Sequence, residues 1–190
     1  MEILTKEEVF INKVHLFKQI EKGKIVLHPT DTIYGFGCNA KDDDAVKKIR
    51  EIKNDFQRPF SILAPSMQWI KENCTITKKD EEWLKKLPGP YTLILKLKNE
   101  NAVSRYVNNG LGTIGVRIPM HWIADFVKEI GLPFVSTAAT LNENQLLQHP
   151  KEASDKCMIS VHYAFDDGYL RGTPSTIVNL LEDEPKLIKR

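Results

Sequence analysis

The segment HPTDTIYGFGC, residues 28–38, decides how the rest of this chain is interpreted. It follows the short apolar run KIVL and precedes the acid-rich segment NAKDDDAVKKI. Its hydroxyl and glycine positions are Thr30, Thr32, Tyr34, Gly35 and Gly37. Two interpretations are open. Such a loop can bind a small polar or anionic ligand at the carboxyl end of a strand, or it can form a tight turn whose Thr and Asp side chains satisfy backbone groups.

The composition favours one globular domain. The chain has 190 residues, of which 42% are hydrophobic and 27% charged, and this length allows a sizeable core. We therefore expect residues 1–190 to form a single domain. No run approaches the length of a membrane span and MEILTKEEVF lacks a signal-peptide core, so we expect a cytoplasmic protein with no membrane partner. The net charge of +2 does not by itself demand a nucleic acid partner.

The cysteines and histidines give no sign of a metal centre. Cys38, Cys74 and Cys157 are far apart and form no C-x-x-C pair, which argues against a disulfide framework or a thiolate zinc site. The histidines form no H-x-x-x-H pair. We predict that the cysteines are small buried hydrophobic side chains, and we predict no metal held by the protein itself.

Hydrophobic periodicity predicts helices that alternate with strands. The T-x-x-E pattern that begins at Thr5 is a capping box and predicts the start of a first helix. Acidic residues 42–44 predict the start of a second helix, with Arg50 on the side away from its apolar stripe. The segment TIGVRIP alternates, which places Thr113 and Arg117 together on the face opposite the core.

The order of these elements predicts a fold of the α/β class. Strands and helices alternate along the chain, but neighbours that resemble hairpins also occur, so we expect a twisted mixed sheet with flanking helices. No internal repeat, low-complexity tract or linker divides the sequence.

Common nucleotide-binding and catalytic motifs do not account for the chain. Gly35, Gly37 and Ala40 satisfy G-x-G-x-x-A, but residues 29–34 separate them from the preceding strand, whereas a dinucleotide fingerprint begins at the strand end. There is no P-loop pattern and no G-x-S-x-G nucleophile elbow. The sequence therefore offers no visible carrier for covalent catalysis.

Three basic residues are candidates for binding an anionic group. Arg117 lies within a predicted strand, where a half-buried arginine must be paired or face a cavity. Lys53 and Arg58 lie in the segment KNDFQRP, just after the second helix. These two can equally form a solvated helix end that complements the helix dipole.

Several segments resemble the YrdC family, the threonylcarbamoyl-AMP synthases. HPTDTIYGFGC resembles the family's P-T-E-T-V-Y-G-L-G loop, with Asp31 in place of Glu, and LPGPYTLIL resembles its W-P-G-P-L-T-F-V-L segment. GTIGVRIP is similar to D-T-V-A-V-R-x-P, and FDDGYLRGTPSTIVNL is similar to the D-G-G and S-T-I-V-D elements. The matches keep the family's order. The resemblance implies a YrdC-like fold with a concave basic cavity.

The resemblance also implies an enzyme of the nucleotidyltransferase class. L-Threonine, bicarbonate or CO2, and ATP with Mg2+ would give L-threonylcarbamoyladenylate (threonylcarbamoyl-AMP) and pyrophosphate. The product would pass to the downstream machinery that makes threonylcarbamoyladenosine in tRNA. Such chemistry needs positioning and neutralisation of phosphate charge more than a protein nucleophile.

The resemblance assigns roles to residues that occupy the family's motif positions. The residues implied for L-threonine binding are Thr32, Tyr34 and Arg117. Arg117 would hold the substrate carboxylate through two parallel hydrogen bonds. The residues implied for ATP binding are Lys53, Arg58, Thr113, Thr140 and Ser175. The residues expected to do the catalytic electrostatic work are Lys53, Arg58 and Arg117.

Two segments depart from the family pattern. The K-x-R element becomes KND, so Asp55 stands where an arginine is expected and Arg58 is its candidate replacement. The S-x-N element becomes AAT, with Ala138 for the serine and Thr140 for the asparagine. In this respect the chain resembles the divergent YciO-like branch of the family, whose members also have an altered S-x-N element. The alternative function is therefore a nucleotide- or RNA-binding protein with weak or no synthesis, and a carbamoyl-transfer domain of the hydrogenase-maturation type is a third.

Overall fold

The structure is a computed structural model that describes residues 1–142 and 145–188, without the side chains of residues 142 and 155–157. The predicted domain, 1–190, thus includes residues 143–144 and 189–190, which lie outside the described part. The strands, numbered in chain order, are β1 (Glu2–Thr5), β2 (Val26–His28), β3 (Gly35–Gly37), β4 (Ser61–Leu63), β5 (Tyr91–Lys96), β6 (Thr113–Arg117), β7 (Phe134–Ala138), β8 (Thr140–Asn142), β9 (Gln145–Leu146), β10 (Tyr163–Asp166), β11 (Thr176–Asn179) and β12 (Lys186–Ile188).

The helices connect these strands along the chain. They are α1 (Lys6–Ile11), α2 (Lys13–Glu21), α3 (Asp43–Lys53), α4 (Met67–Asn73), α5 (Lys78–Leu84), α6 (Arg105–Asn108), α7 (Ile123–Ile130) and α8 (Asp155–Ser160), with 3-10 turns at Glu100–Ala102 and Pro150–Glu152. The predicted capping box at Thr5 is confirmed, and Asp42 caps α3 by accepting hydrogen bonds from two backbone N–H groups. None of the described helices is long and apolar enough to cross a bilayer.

The predicted mixed α/β architecture is confirmed. Within the described residues, ten strands form one sheet in the order β1-β10-β2-β3-β7-β4-β6-β5-β11-β12. Parallel pairs such as β4 with β6 stand beside antiparallel pairs such as β4 with β7. The register places Ser61 on β4 between Gly115 on β6 and Ser136 on β7. β8 and β9 form a separate hairpin.

The two faces of the sheet are covered differently. One face packs against α3, α4 and α5 over a core that includes Ile49, Ile62 and Val116. The other face packs against α1, α2 and α7 through a second cluster, whose strand residues come from β1, β2, β4, β7 and β10. Phe134 and Phe126 are central to this second cluster. The helices α1, α2 and α7 therefore do not cover the second face where it is formed by β5, β6 and β11.

The position of Arg50 shows that one part of the prediction for α3 was wrong. The apolar stripe is buried as expected, but Arg50 is buried too, with 3% of its surface exposed. Its guanidinium lies over the Phe60 ring, with Cζ 4.2 Å from the ring centre. It donates hydrogen bonds to the backbone carbonyls of Asp55, Arg58, Tyr106 and Val107. A guanidinium has five N–H donors, so one side chain can satisfy several buried carbonyls and fix the loop after α3.

Other element boundaries also differ from the sequence prediction. The first predicted helix is interrupted at Asn12 and continues as α2, which ends before Gly23. The opening segment contains an unpredicted strand, β3, which pairs with β2 and β7. Only three residues long and containing two glycines, β3 offers no alternation for a sequence pattern to detect.

Gly37 is the position where β3 comes closest to its neighbours. A Cβ atom there would overlap the Phe134 ring and would lie 2.8 Å from the Val135 carbonyl oxygen. We expect Gly37→Ala to lower the free energy of unfolding by about 1–3 kcal/mol, because the buried ring must shift. Urea unfolding followed by circular dichroism measures the change. Gly112→Ala is the matched control, because nothing lies within 4 Å of its Cβ position; an equal loss in both variants would contradict the packing explanation.

Candidate functional site

A cleft lies on the part of the second sheet face that α1, α2 and α7 leave uncovered. Its polar lining comprises Thr30, Tyr34, Ser61, Thr92, Arg117, Ser136 and Ser175. The space amounts to about 390 Å3 when its open mouth is included. Because side chains two residues apart on a strand share a face, Ser61 and Ser136 point to the same side as Leu63 and Phe134 of the second cluster. The cleft is therefore the polar continuation of an otherwise apolar face.

Hydroxyl groups form the floor of the cleft. The Thr92 and Ser175 hydroxyl oxygens lie 2.7 Å apart, within hydrogen-bonding distance. Gly115 keeps the floor open, because a Cβ at this position would lie 3.0 Å from Ser61 Oγ and 3.2 Å from a Thr92 methyl group. The floor thus presents hydroxyl donors and acceptors around a bare stretch of backbone, an arrangement that suits a polar ligand.

Arg117 is the cation of the cleft lining, and it is buried and paired as the sequence predicted. Its Nη1 donates a hydrogen bond to Thr32 Oγ1 at 3.0 Å, and its Nη2 forms an ion pair with Asp31. The Arg117 side chain is 7% exposed and that of Asp31 13%. The second carboxylate oxygen of Asp31 accepts a hydrogen bond from the Met120 N–H at 3.0 Å. One buried carboxylate therefore ties the opening segment to the end of β6.

The opening segment itself is a tight turn organised by Thr30. Its Oγ1 accepts hydrogen bonds from the N–H groups of Thr32 and Ile33, and donates one to the Ile33 carbonyl at 2.7 Å. This is the structural role left open by the sequence. The same residue lines the cleft, so the turn also supplies part of the wall. Thr32 lies behind it, with 8% of its surface exposed, and contacts Arg117.

A second loop, residues 167–175, closes one side of the cleft. The Tyr34 hydroxyl donates to the Gly168 carbonyl at 2.8 Å and accepts from the Asp167 N–H at 3.0 Å. Burial raises the pKa of Tyr34, so the phenol stays protonated and keeps this donor. Gly172 packs directly on the Thr32 carbonyl, where a Cβ atom would overlap it. The two loops consequently form one wall.

Lys53 reaches the edge of the cleft from the end of α3. Its ammonium group donates a hydrogen bond to the Ala138 carbonyl at 2.5 Å, and Ala138 lines the cleft. Asn54, the next residue, has a left-handed backbone with φ of 49° and ends the helix. The proposed phosphate-binding lysine and the AAT segment therefore meet in space.

Of the other predicted ATP-binding residues, Ser175 lines the cleft, whereas Arg58, Thr113 and Thr140 do not. Arg58 is exposed and lies outside the described lining, with its backbone held by Arg50 and Asp55. Thr113 is half-buried at the opposite end of β6 from Arg117, about 13 Å along the strand. Thr140 is half-buried at the start of β8, beyond Ala138. The roles assigned to these residues stay predictions.

Three hydroxyl residues of the cleft lining were not identified from the sequence. Ser61, Thr92 and Ser136 are hydroxyl residues on the strand faces opposite the large apolar core. In the segment YTLILKLK, Thr92 alternates with leucines, so a search for hydroxyl residues at such positions would have found it. Their convergence depends on strand order, which the sequence did not supply.

A family model described as Telomere recombination, which takes in Sua5, YciO and YrdC proteins, matches residues 18–190. The chain belongs to the Sua5/YciO/YrdC family. The resemblance to YrdC proteins inferred from the opening segment and its companion motifs is thereby confirmed.

Relatives within the Sua5/YciO/YrdC family carry different names. The threonylcarbamoyl-AMP synthase of Pyrococcus abyssi is 33% identical over 175 residues, which make up 90% of this chain and 51% of that protein. The chain thus spans about half the length of this synthase. The uncharacterized Escherichia coli protein YciO is 28% identical over 177 residues, 90% of this chain and 84% of YciO. The solved structure of P. abyssi Sua5 complexed with L-threonine matches with a TM-score of 0.86 and 29% identity, over 98% of this chain and 56% of that one.

The two cysteines whose side chains are described contribute no chemistry to the site. Cys38 and Cys74 are buried, as predicted, and burial raises the pKa of both thiols, that of Cys74 to about 12. They are therefore protonated and poorly nucleophilic at neutral pH. The side chain of Cys157 lies outside the described residues.

The Asp31–Arg117 pair should contribute strongly to stability. We expect Asp31→Ala to lower the free energy of unfolding by about 3–5 kcal/mol, because it leaves a buried guanidinium without its countercharge. Chemical denaturation of the purified variant measures this loss.

The control for this prediction is Glu129→Ala, which breaks the exposed Lys13–Glu129 pair at 2.5 Å. Its side chains are 39% and 41% exposed, so we expect a loss below about 1 kcal/mol. Equal losses from the two variants would mean that Asp31 does not neutralise a buried charge.

Proposed function

We propose that this chain is a nucleotidyltransferase that forms L-threonylcarbamoyladenylate and pyrophosphate from L-threonine, bicarbonate or CO2, and ATP. Family membership and relatives named threonylcarbamoyl-AMP synthase support the reaction class. The observation that carries the proposal is the hydroxyl-lined cleft with a buried, preorganised Arg117 at one side and Lys53 at its edge.

Arg117 is suited to hold the carboxylate of L-threonine. A guanidinium can bind a carboxylate through two parallel hydrogen bonds, and its five donors allow a ligand to bind beside Asp31 and Thr32. In this proposal Thr32 acts on the substrate through Arg117, because its hydroxyl accepts a hydrogen bond from that guanidinium. Tyr34 shapes the pocket by fixing the 167–175 loop.

The chemistry proposed for the cleft requires no covalent intermediate on the protein. The neutral amino group of L-threonine adds to CO2 and releases a proton to solvent to give a carbamate. A carbamate oxygen then attacks the α-phosphorus of ATP as pyrophosphate leaves. Lys53 would neutralise charge on the phosphates as it develops, while Ser175 and the floor hydroxyls would orient the nucleotide. Thr113 and Thr140 would act on the nucleotide at the periphery of the cleft.

Mg2+ would enter this site bound to the phosphates of ATP. In the described part of the chain, no three or more His, Cys, Asp or Glu side chains are grouped to hold a metal. Mg2+ usually keeps several waters and shares phosphate oxygens, so the cleft hydroxyl groups are compatible neighbours. Transfer of the product to tRNA-modifying machinery, in a cytoplasmic setting, belongs to the same proposal as a downstream step. Direct RNA binding belongs to the alternative of a nucleotide- or RNA-binding protein.

The decisive experiment measures pyrophosphate release by the purified protein. With ATP, L-threonine, bicarbonate and Mg2+, we expect release that depends on L-threonine, together with a product of the mass of threonylcarbamoyl-AMP. Omitting L-threonine or bicarbonate gives the background rate. Release at background level from folded protein, with ATP still bound, would favour the alternative of a nucleotide- or RNA-binding protein.

Lys53 can be tested separately from the rest of the site. We expect Lys53→Ala to reduce kcat/KM by about 10²–10³, because it removes a cation from the phosphates in the transition state. Lys48→Ala, an exposed lysine on the same helix, is the control and should keep the parental rate. Arg58→Ala is measured beside them: a comparable loss places Arg58 at the phosphates, and an unchanged rate removes it from the proposed site.

A further inference from the structure

His28 is a buried histidine beside the cleft for which no role has been assigned above. It ends β2, directly opposite Gly35 on β3, and none of its surface is exposed. Among the described residues, its Nε2 atom is buried without a hydrogen-bond partner. Buried polar atoms are nearly always hydrogen-bonded, so this atom requires a physical explanation.

The hydrogen bond at the other ring nitrogen defines the chemistry of Nε2. His28 Nδ1 lies 3.1 Å from the Pro29 carbonyl oxygen, which can only accept. Nδ1 therefore carries the proton in the neutral ring, and Nε2 presents a bare lone pair. Burial lowers the pKa of His28 to about 4, so this neutral tautomer is the form present near pH 7. Nε2 is accordingly an acceptor that lacks a donor.

Gly35 brings this acceptor next to the cleft lining. A Cβ atom on Gly35 would lie 3.2 Å from Nε2, and Gly35 lines the cleft. Because glycine has no side chain, the imidazole edge packs directly against residue 35, immediately behind the lining. The Phe134 ring packs edge-on against the imidazole, with ring centres 5.5 Å apart, and fixes its orientation.

The burial of Nε2 indicates which donor suits it. Burial and the nearby positive charge of Arg117 both lower the pKa of the imidazole. A neutral donor such as a hydroxyl group suits this position better than an ammonium group, because a buried charge needs a countercharge and a hydrogen-bonded hydroxyl group does not. L-Threonine carries one such group, its β-hydroxyl.

We infer that Nε2 of His28 accepts a hydrogen bond from the β-hydroxyl of bound L-threonine and so makes the cleft select threonine over valine. This inference rests on the proposed function, which supplies L-threonine as the ligand. Valine has nearly the same shape but no hydroxyl donor, so its binding leaves the buried acceptor unpaired. A site built to hydrogen-bond a ligand hydroxyl rejects an analogue that lacks it much more strongly than an apolar pocket does.

The test compares binding of L-threonine and L-valine by calorimetry to the parent protein, His28→Phe and His28→Gln. We expect the parent to bind L-threonine at least about tenfold more tightly than L-valine. His28→Phe keeps an aromatic ring against Phe134 but removes the acceptor, so its affinity for the two amino acids should become similar. His28→Gln restores an acceptor and should recover part of the preference. His15→Phe, at an exposed histidine on α2, is the control and should bind as the parent does.

A second measurement uses the parent protein alone and does not depend on how the variants fold. In ¹⁵N-labelled protein, the His28 Nε2 resonance should move upfield on saturation with L-threonine and stay in place with L-valine. If the parent protein fails to bind L-threonine, the proposed function and this inference both fall. If it binds with a preference that His28→Phe retains, or if that variant loses affinity for both ligands equally, the inference alone is overturned.

Discussion

The placement of Arg117 is the constraint on which the site depends. A guanidinium at the end of a central strand is stable there only because Asp31 and Thr32 reach it from the opening segment. The contacts of Arg117 with Asp31 and Thr32 therefore hold the segment HPTDTIYGFGC against the sheet. Since Arg117 is proposed to hold the ligand, the interaction that stabilises the fold would also prepare the cleft. The cation does not have to be reorganised when a ligand arrives, which is how preorganised sites save free energy.

The division of one sheet face between apolar and polar regions explains where the cleft lies. β4 and β7 supply Leu63 and Phe134 to the helical cluster, and Ser61 and Ser136 to the cleft floor. A shift of two residues along each strand is enough to pass from one environment to the other. Small residues at Gly115 and Gly35 then keep the polar region free of side chains. The cleft is thus produced by side-chain size and polarity on a regular scaffold.

Much of this arrangement was predictable from the sequence, but its long-range partners were not. Alternation in TIGVRIP placed Arg117 on the face opposite the core and required a partner for it. The partner, Asp31, lies 86 residues away, and no local pattern relates the two. Arg50 was assigned to an exposed side of α3 because charged residues are normally placed there when a helix is predicted from periodicity. The four backbone carbonyls that accept its hydrogen bonds are tertiary contacts, and periodicity carries no information about them. The order of the motifs was enough to identify the family. The hydroxyl floor could not be predicted, because its residues come together only through the order of the strands in the sheet.

The wall formed by Tyr34, Gly172 and Thr32 has a consequence for how the protein acquires its site. Tyr34 and Asp167 are 133 residues apart in sequence, so this wall closes only after two distant segments of the chain have come together. Contacts of such high sequence separation form late in folding, because the entropy of loop closure must be overcome first. A chain that has built only its local helices and hairpins therefore has no cleft. A ligand that spans the wall would act selectively on the completed fold and draw the folding equilibrium towards it by mass action.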